Sequence, residues 1–211
     1  MSVKPRVLIA DAEAPTSVGL RLLLGRSGFD VAAEATDAAA AVAAAREGTI
    51  DLALLAADLP GGGIDAVREI HSLLPGVRLV LLTAHQSADE LVAAVGAGAA
   101  GYLGQDIAAE RLAVVLRALI EGEVAYPRRH TGHLVDALRA RDARRAAVVA
   151  RAGERLSDRE WDVLQLLAAD ASTADIAHRL AISQVTVRRH VSSLLRKLRV
   201  RDRASAAAWL R

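Results

Sequence analysis

Residues 7–121 switch regularly between two hydrophobic periods, and that switch narrows what the chain can fold into. Short apolar runs at Val7–Ala10, Val31–Ala35, Leu52–Leu55, Val77–Leu82 and Gly101–Leu103 read as strands. The longer segments between them carry helical spacing. Pro15–Ser27 sets Leu20, Leu23 and Leu24 on one face, and Ile64–Leu74 sets Ile64, Val67, Ile70 and Leu74 in register. Ala38–Glu47, Ser87–Ala97 (stopped by Gly98) and Ala108–Glu121 complete the set. Five strands alternating with five helices predict a parallel sheet covered on both faces. Ligands of such sheets sit at the carboxyl ends of the strands, where Asp11, Ala56, Thr83 and Gln105 fall.

The core must be built without large rings. The chain is 53% hydrophobic but only 2% aromatic, so Ala, Leu and Val fill the interior and favour helices packed closely on the sheet. The absence of cysteine excludes disulfides, thiolate metal sites and a cysteine nucleophile. Met1–Arg6 leads into only four apolar residues, too few for a secretory signal core, and no later run is long enough to cross a bilayer. A cytoplasmic location without membrane contact is the expectation. The net charge of +2 hides an asymmetry. Residues 1–127 hold 9 Lys/Arg against 16 Asp/Glu, a net of −7, and residues 128–211 hold 18 against 9, a net of +9. Such halves suggest two domains, the second with a polyanionic partner.

Residues 128–153 form a basic linker with Leu134, Leu138, Val148 and Val149 in an arginine-rich context. Two readings stand open, a linker helix or a charge-extended tether. The pattern in 154–211 is wholly helical. Ser157 with Glu160 makes a capping box, and Trp161, Leu164 and Leu167 continue an apolar stripe. Ser172–Asp175 repeats the cap ahead of Ile176 and Leu180, and a turn at Ala181–Ile182 precedes a third N-cap, Ser183. The next helix buries Val187, Val191, Leu194, Leu195 and Leu198 as one stripe, and a last helix is expected over Ala204–Leu210.

At about 100° per residue, Val185, Arg188, Arg189, Ser192 and Arg196 point away from that stripe. A helix with one buried and one basic face, preceded by a helix and a tight turn, reads as a helix-turn-helix. Arginine binds phosphates and guanine edges, and Val185 offers a methyl surface to thymine. Residues 156–210 resemble the DNA-binding domain of NarL/LuxR-type bacterial regulators. The matching stretches are Leu156–Glu160, Asp175–Ala177 with Leu180, Ile182–Ser183, Thr186–Val187, His190–Val191 and Arg196–Leu198. The resemblance implies base contacts at Arg188, Arg189 and Ser192, backbone contacts near Thr186, His190 and Lys197, and a dimer contact in the last helix around Ala206 to Trp209. Asp170 occupies a usual glycine position, and Arg189 and Ser192 are uncommon at theirs. The operator sequence therefore does not carry over.

Residues 6–123 resemble the receiver domain of response regulators, a flavodoxin-like, doubly wound five-stranded fold. The resemblance implies a phosphorylation pocket of two acids after the first strand, an acceptor aspartate ending the third, a hydroxyl ending the fourth and a lysine after the fifth. Here those positions hold Asp11-Ala12, Ala56, Thr83 and Gln105, and Tyr102 stands where the family couples the pocket to its signalling face. The acceptor, one metal ligand and the cation are missing. Alanine offers no nucleophile, and one carboxylate of three is a poor Mg²⁺ site.

These residues lead to a sequence-specific regulator of transcription that binds double-stranded DNA without aspartyl phosphorylation. Its receiver would serve as a homodimerisation module and as the seat of a small-molecule or protein ligand. Two alternatives remain: phosphorylation at the neighbouring acid Asp58, and a protein-interaction module with secondary DNA contact. No acid–base or nucleophile constellation assembles at any strand end, which argues against an enzyme, and no cofactor or metal is expected.

Overall fold

The computed structural model of the chain describes residues 4–180 and 182–210. The start of the leading segment (residues 1–3), Ala181 of the expected turn and Arg211 lie outside them. The chain divides into two compact units, Met1–Val135 and Asp136–Arg211.

The first unit alternates β1 (Arg6–Ala10), α1 (Ala14–Arg26), β2 (Asp30–Ala35), α2 (Ala38–Glu47), β3 (Leu52–Ala56), α3 (Gly63–Leu73), β4 (Arg78–Thr83), α4 (Ala88–Ala97), β5 (Gly101–Gly104) and α5 (Ala109–Ile120). All pairings are parallel, in the order β2-β1-β3-β4-β5. The order reverses between β1 and β3, so their carboxyl ends flank the switch point of the sheet. The period of two sorts each strand between two cores. Leu8, Ala10, Ala53, Leu55, Leu79 and Leu81 pack under α2, α3 and α4. Their neighbours Val7, Ile9, Leu52, Leu54, Val80 and Leu82 pack under α1 and α5. Small side chains do this work on the α2 side, where Ala38, Ala41 and Ala45 let that helix lie close to the strands.

The turn after β3 needs its glycines. Gly61 and Gly62 have φ of 87° and 94°, in the left-handed region. A Cβ on Gly63 would stand 2.1 Å from the Ala56 carbonyl oxygen. Beyond α5, Ala125 runs along β5: the Tyr102 N–H donates to its carbonyl at 2.8 Å and its own N–H donates to the Ala100 carbonyl at 3.0 Å. Pro127 precedes α6 (Arg128–Ala152), so the basic stretch is a helix rather than a tether.

The second unit gathers the end of α6 with α7 (Asp158–Ala168), α8 (Thr173–Arg179), α9 (Gln184–Leu198) and α10 (Arg203–Ala207). Its core joins Trp161, Val163, Leu164 and Leu167 to Ile176, Val187, Val191, Leu194, Leu198 and Ala206. Val148 and Ala152, which precede the expected domain start at 154, are also buried here, 4% and 5% exposed. The Arg145 guanidinium lies 5.3 Å from the Trp161 ring centre and pairs with Asp158 at 2.9 Å, and Arg151 lies 4.1 Å over Trp209. The last helix is shorter than expected. Asp202 caps it by accepting from Ser205 N–H at 2.8 Å, and Trp209 and Leu210 follow in a turn, bonded back to Ala206 and Ala207. Among the described residues, no helix is long and apolar enough to cross a membrane.

Gly63→Ala should destabilise the first unit by about 1–3 kcal/mol, since the backbone must move to admit the methyl group; urea unfolding measures it. A fragment 136–211 should be about 3 kcal/mol more stable than a fragment 154–211, through burial of Val148 and Ala152 and two cation–π contacts. Equal urea midpoints would show that the end of α6 adds nothing.

Candidate DNA interface and strand-end pocket

The α9 helix begins with Ser183, whose hydroxyl accepts from the Thr186 N–H at 3.1 Å and meets the Thr186 hydroxyl at 2.9 Å. Its buried stripe is the expected one: Val187, Val191, Leu194 and Leu198 are all 9% exposed or less, with Leu195 partly buried beside them. The opposite face is open. Val185 is 71% exposed, and Arg188, Arg189, Ser192 and Arg196 are exposed around it. Among the described residues, no carboxylate lies within 4.0 Å of Arg188, Arg189 or Arg196. Cations held this way have no internal partner to leave on meeting a phosphate. Thr186 and His190 are half-buried on the flank, with Thr186 engaged in the cap.

Lys197, expected near the DNA backbone, is engaged within the second unit. Its ammonium donates to Glu160 Oε2 at 2.8 Å and to the Arg155 carbonyl at 3.0 Å, and its side chain is only 16% exposed. Glu160 is the centre of this cluster. It accepts from Ser193 Oγ at 2.7 Å and from the Ser157 N–H at 2.7 Å. Burial pushes this carboxyl up, but Lys197, the Ser157 N–H and the Ser193 hydroxyl together hold it down at about 2. Its sequence signal was the capping box, which explains the bond to Ser157 but not those reaching α9. The helix before α9 is fixed from both ends. Ser172 and Asp175 form the second capping box, with bonds of 3.0 and 3.1 Å, and Arg159 donates to the Leu180 carbonyl at 2.9 Å.

At the carboxyl ends of the strands, the fold gathers Asp11, Ala56 and Thr83, which are 5%, 2% and 5% exposed. Ala12 and Gln105 are exposed, and the Gln105 N–H donates to the Thr83 carbonyl at 2.9 Å. Asp11 Oδ1 accepts from the Glu13 N–H at 2.7 Å. Its Oδ2 is buried without a hydrogen-bond partner. Burial raises the Asp11 carboxyl, and the charges of Asp58 and Glu13 add to this against the opposing Glu13 hydrogen bond. The buried oxygen is a free ligand atom, yet Mg²⁺ does not fit the donors present. Ala12 and Ala56 contribute methyl groups, and among the described residues no three His, Asp or Glu side chains are grouped to hold a metal ion.

Thr83 and Tyr102 are satisfied internally. The Thr83 hydroxyl bonds to the N–H and carbonyl of His85, both at 3.3 Å. Tyr102 is fully buried in the sheet core. Its hydroxyl donates to Glu90 Oε2 at 2.6 Å and accepts from the Ser87 N–H at 2.9 Å, at the start of α4. Burial and the Glu90 carboxylate push this phenol up to about 12.

Comparison with known proteins matches residues 7–117 to the response regulator receiver domain and residues 154–210 to the luxR family of bacterial regulatory proteins. The nitrate/nitrite response regulator protein NarP of Escherichia coli is 33% identical, with 95% of this chain and 92% of that protein covered. The transcriptional regulatory protein YxjL of Bacillus subtilis is 31% identical over 98% and 94%. A crystal structure of a LuxR-family two-component response regulator from Aurantimonas sp. SI85-9A1 superposes with a TM-score of 0.59 at 30% identity, covering 64% of this chain and 98% of that one.

The Glu160 carboxyl has a folded value below its unfolded one. The stability it gives is whole above the ordinary value of 4.5 and is lost as pH falls through about 2. Glu160→Gln should flatten that acid transition, followed by circular dichroism, and destabilise the second unit by about 3 kcal/mol through the ammonium left unpaired.

Proposed function

This chain belongs to the LuxR-family response regulators, DNA-binding regulators of transcription with a receiver domain, and on that premise we propose that its DNA binding is sequence-specific and independent of aspartyl phosphorylation. The observation that carries the proposal is Ala56 at the end of β3, where the family's acceptor would stand. Gln105 in place of a cation and Ala12 in place of a second acid support it. A phosphoryl group would enter beside the acids Asp11, Glu13 and Asp58, and the position of the family's lysine holds the uncharged Gln105. DNA is read by the exposed face of α9, with Arg188, Arg189 and Ser192 at base edges, Val185 against a thymine methyl, and Thr186, His190 and Arg196 along the backbone. Lys197 serves this reading by holding α9 to Glu160. The receiver unit acts as a homodimerisation module, biased by a small molecule or partner protein rather than by phosphate.

Acetyl phosphate should leave no acid-labile label on the full chain and should not change its affinity for its operator. Label that disappears in Asp58→Ala would overturn the proposal in favour of phosphorylation at that neighbouring acid. Arg188→Ala and Arg189→Ala should each weaken operator binding by about 10- to 100-fold, as expected for a lost bidentate base contact. Promoter occupancy unchanged in the double variant would make DNA contact secondary to protein interaction.

A further inference from the structure

The segment after α9 holds a backbone conformation that its side chain does not favour. Arg199 closes the helix with φ 56° and ψ 39°, in the left-handed region. Its N–H donates to the Arg196 carbonyl at 3.1 Å, and the Val200 N–H donates to the Leu195 carbonyl at 3.0 Å. Glycine is the usual residue at such a helix end, because a Cβ is crowded there. An arginine kept in a strained conformation points to a use for its side chain.

Three observations say what that use is. At about 100° per residue, the Cα of Arg199 falls within the arc between Arg188 and Arg189, so the open basic face of α9 continues past the helix end. Arg199 is exposed, and among the described residues no carboxylate lies within 4.0 Å of it. The loop carrying it is pinned. Val200 packs on the core, Asp202 caps α10, and Arg203 donates to the Thr173 hydroxyl at 2.9 Å. A cation on a fixed backbone loses little freedom when it meets an anion.

We infer that Arg199 is a phosphate-backbone contact to double-stranded DNA, lying beyond the residues that the family resemblance assigns. The inference rests on the DNA-binding reading of α9 but predicts a different signature. A phosphate contact positions the protein without reading sequence, and it contributes through counterion release.

The test compares the full chain with its Arg199→Gly variant on mixed-sequence double-stranded DNA, across a salt series, by fluorescence anisotropy. One lost phosphate contact should make the slope of log affinity against log salt shallower by about 0.9 and lower the affinity about threefold or more at 50 mM salt. The thermal midpoint should hold or rise, because glycine fits the left-handed region. Arg199→Lys should keep the wild-type slope. Wild-type affinity and slope in Arg199→Gly would overturn the inference, as would a loss of affinity that merely follows a lowered thermal midpoint. In either case, Arg188→Ala and Arg189→Ala still decide the DNA reading on their own. A full chain that binds no duplex at any salt overturns both.

Discussion

The second unit hangs on one buried carboxylate. Glu160 sits in the first turn of α7, and its oxygens reach Ser193 and Lys197 on α9 as well as the backbone that starts α7. Removing such a group from water is costly, and the cost is met only because each oxygen is held by a fixed donor. Apolar stripes alone let a helix slide or roll over its neighbour by small amounts. A carboxylate bonded at 2.7–2.8 Å to two points one turn apart on α9 does not allow that. The face carrying Arg188 and Arg189 is therefore aimed by the same interaction that caps another helix. Lys197, basic and next to the open arginine face in sequence, is engaged in holding α9 to α7.

The first unit has the architecture of a receiver domain. The order β2-β1-β3-β4-β5 brings Asp11, Ala56 and Thr83 together, as the fold does with any residues at those positions. The hydroxyls near these strand ends are bonded internally. Thr83 bonds within its own loop, and Tyr102 ties β5 to the start of α4 through Glu90 and Ser87. Asp11 is left with a buried oxygen and two acidic neighbours, an environment that disfavours its ionised form and any further negative charge.

Much of this was legible in the chain, and the reasons differ by feature. Strands and helices of the first unit lie within a residue or so of their expected positions, because a parallel sheet buried on both faces writes apolar runs that few other structures produce. The three serine caps of the second unit were readable because a cap is a local bargain between residues three apart. What could not be read depends on contacts distant in sequence. Nothing near Lys197 announces Glu160, 37 positions away. The arginines of α6 read only as a basic linker, yet Arg145 and Arg151 stack on indoles that follow them by 16 and 58 positions. The last helix is shorter than the sequence predicts because Trp209 and Leu210 are apolar and partly buried without being helical.

The placement of the rings has a practical side. Both tryptophans of the chain lie in the second unit, and each lies under an arginine of α6. Indole emission is thus silent about the five-stranded unit and sensitive to whether the end of α6 is seated. Excited at the red edge of indole absorption, where Tyr102 and Tyr126 of the first unit absorb little, the protein carries its own optical probe for one helix on one surface, with no label added.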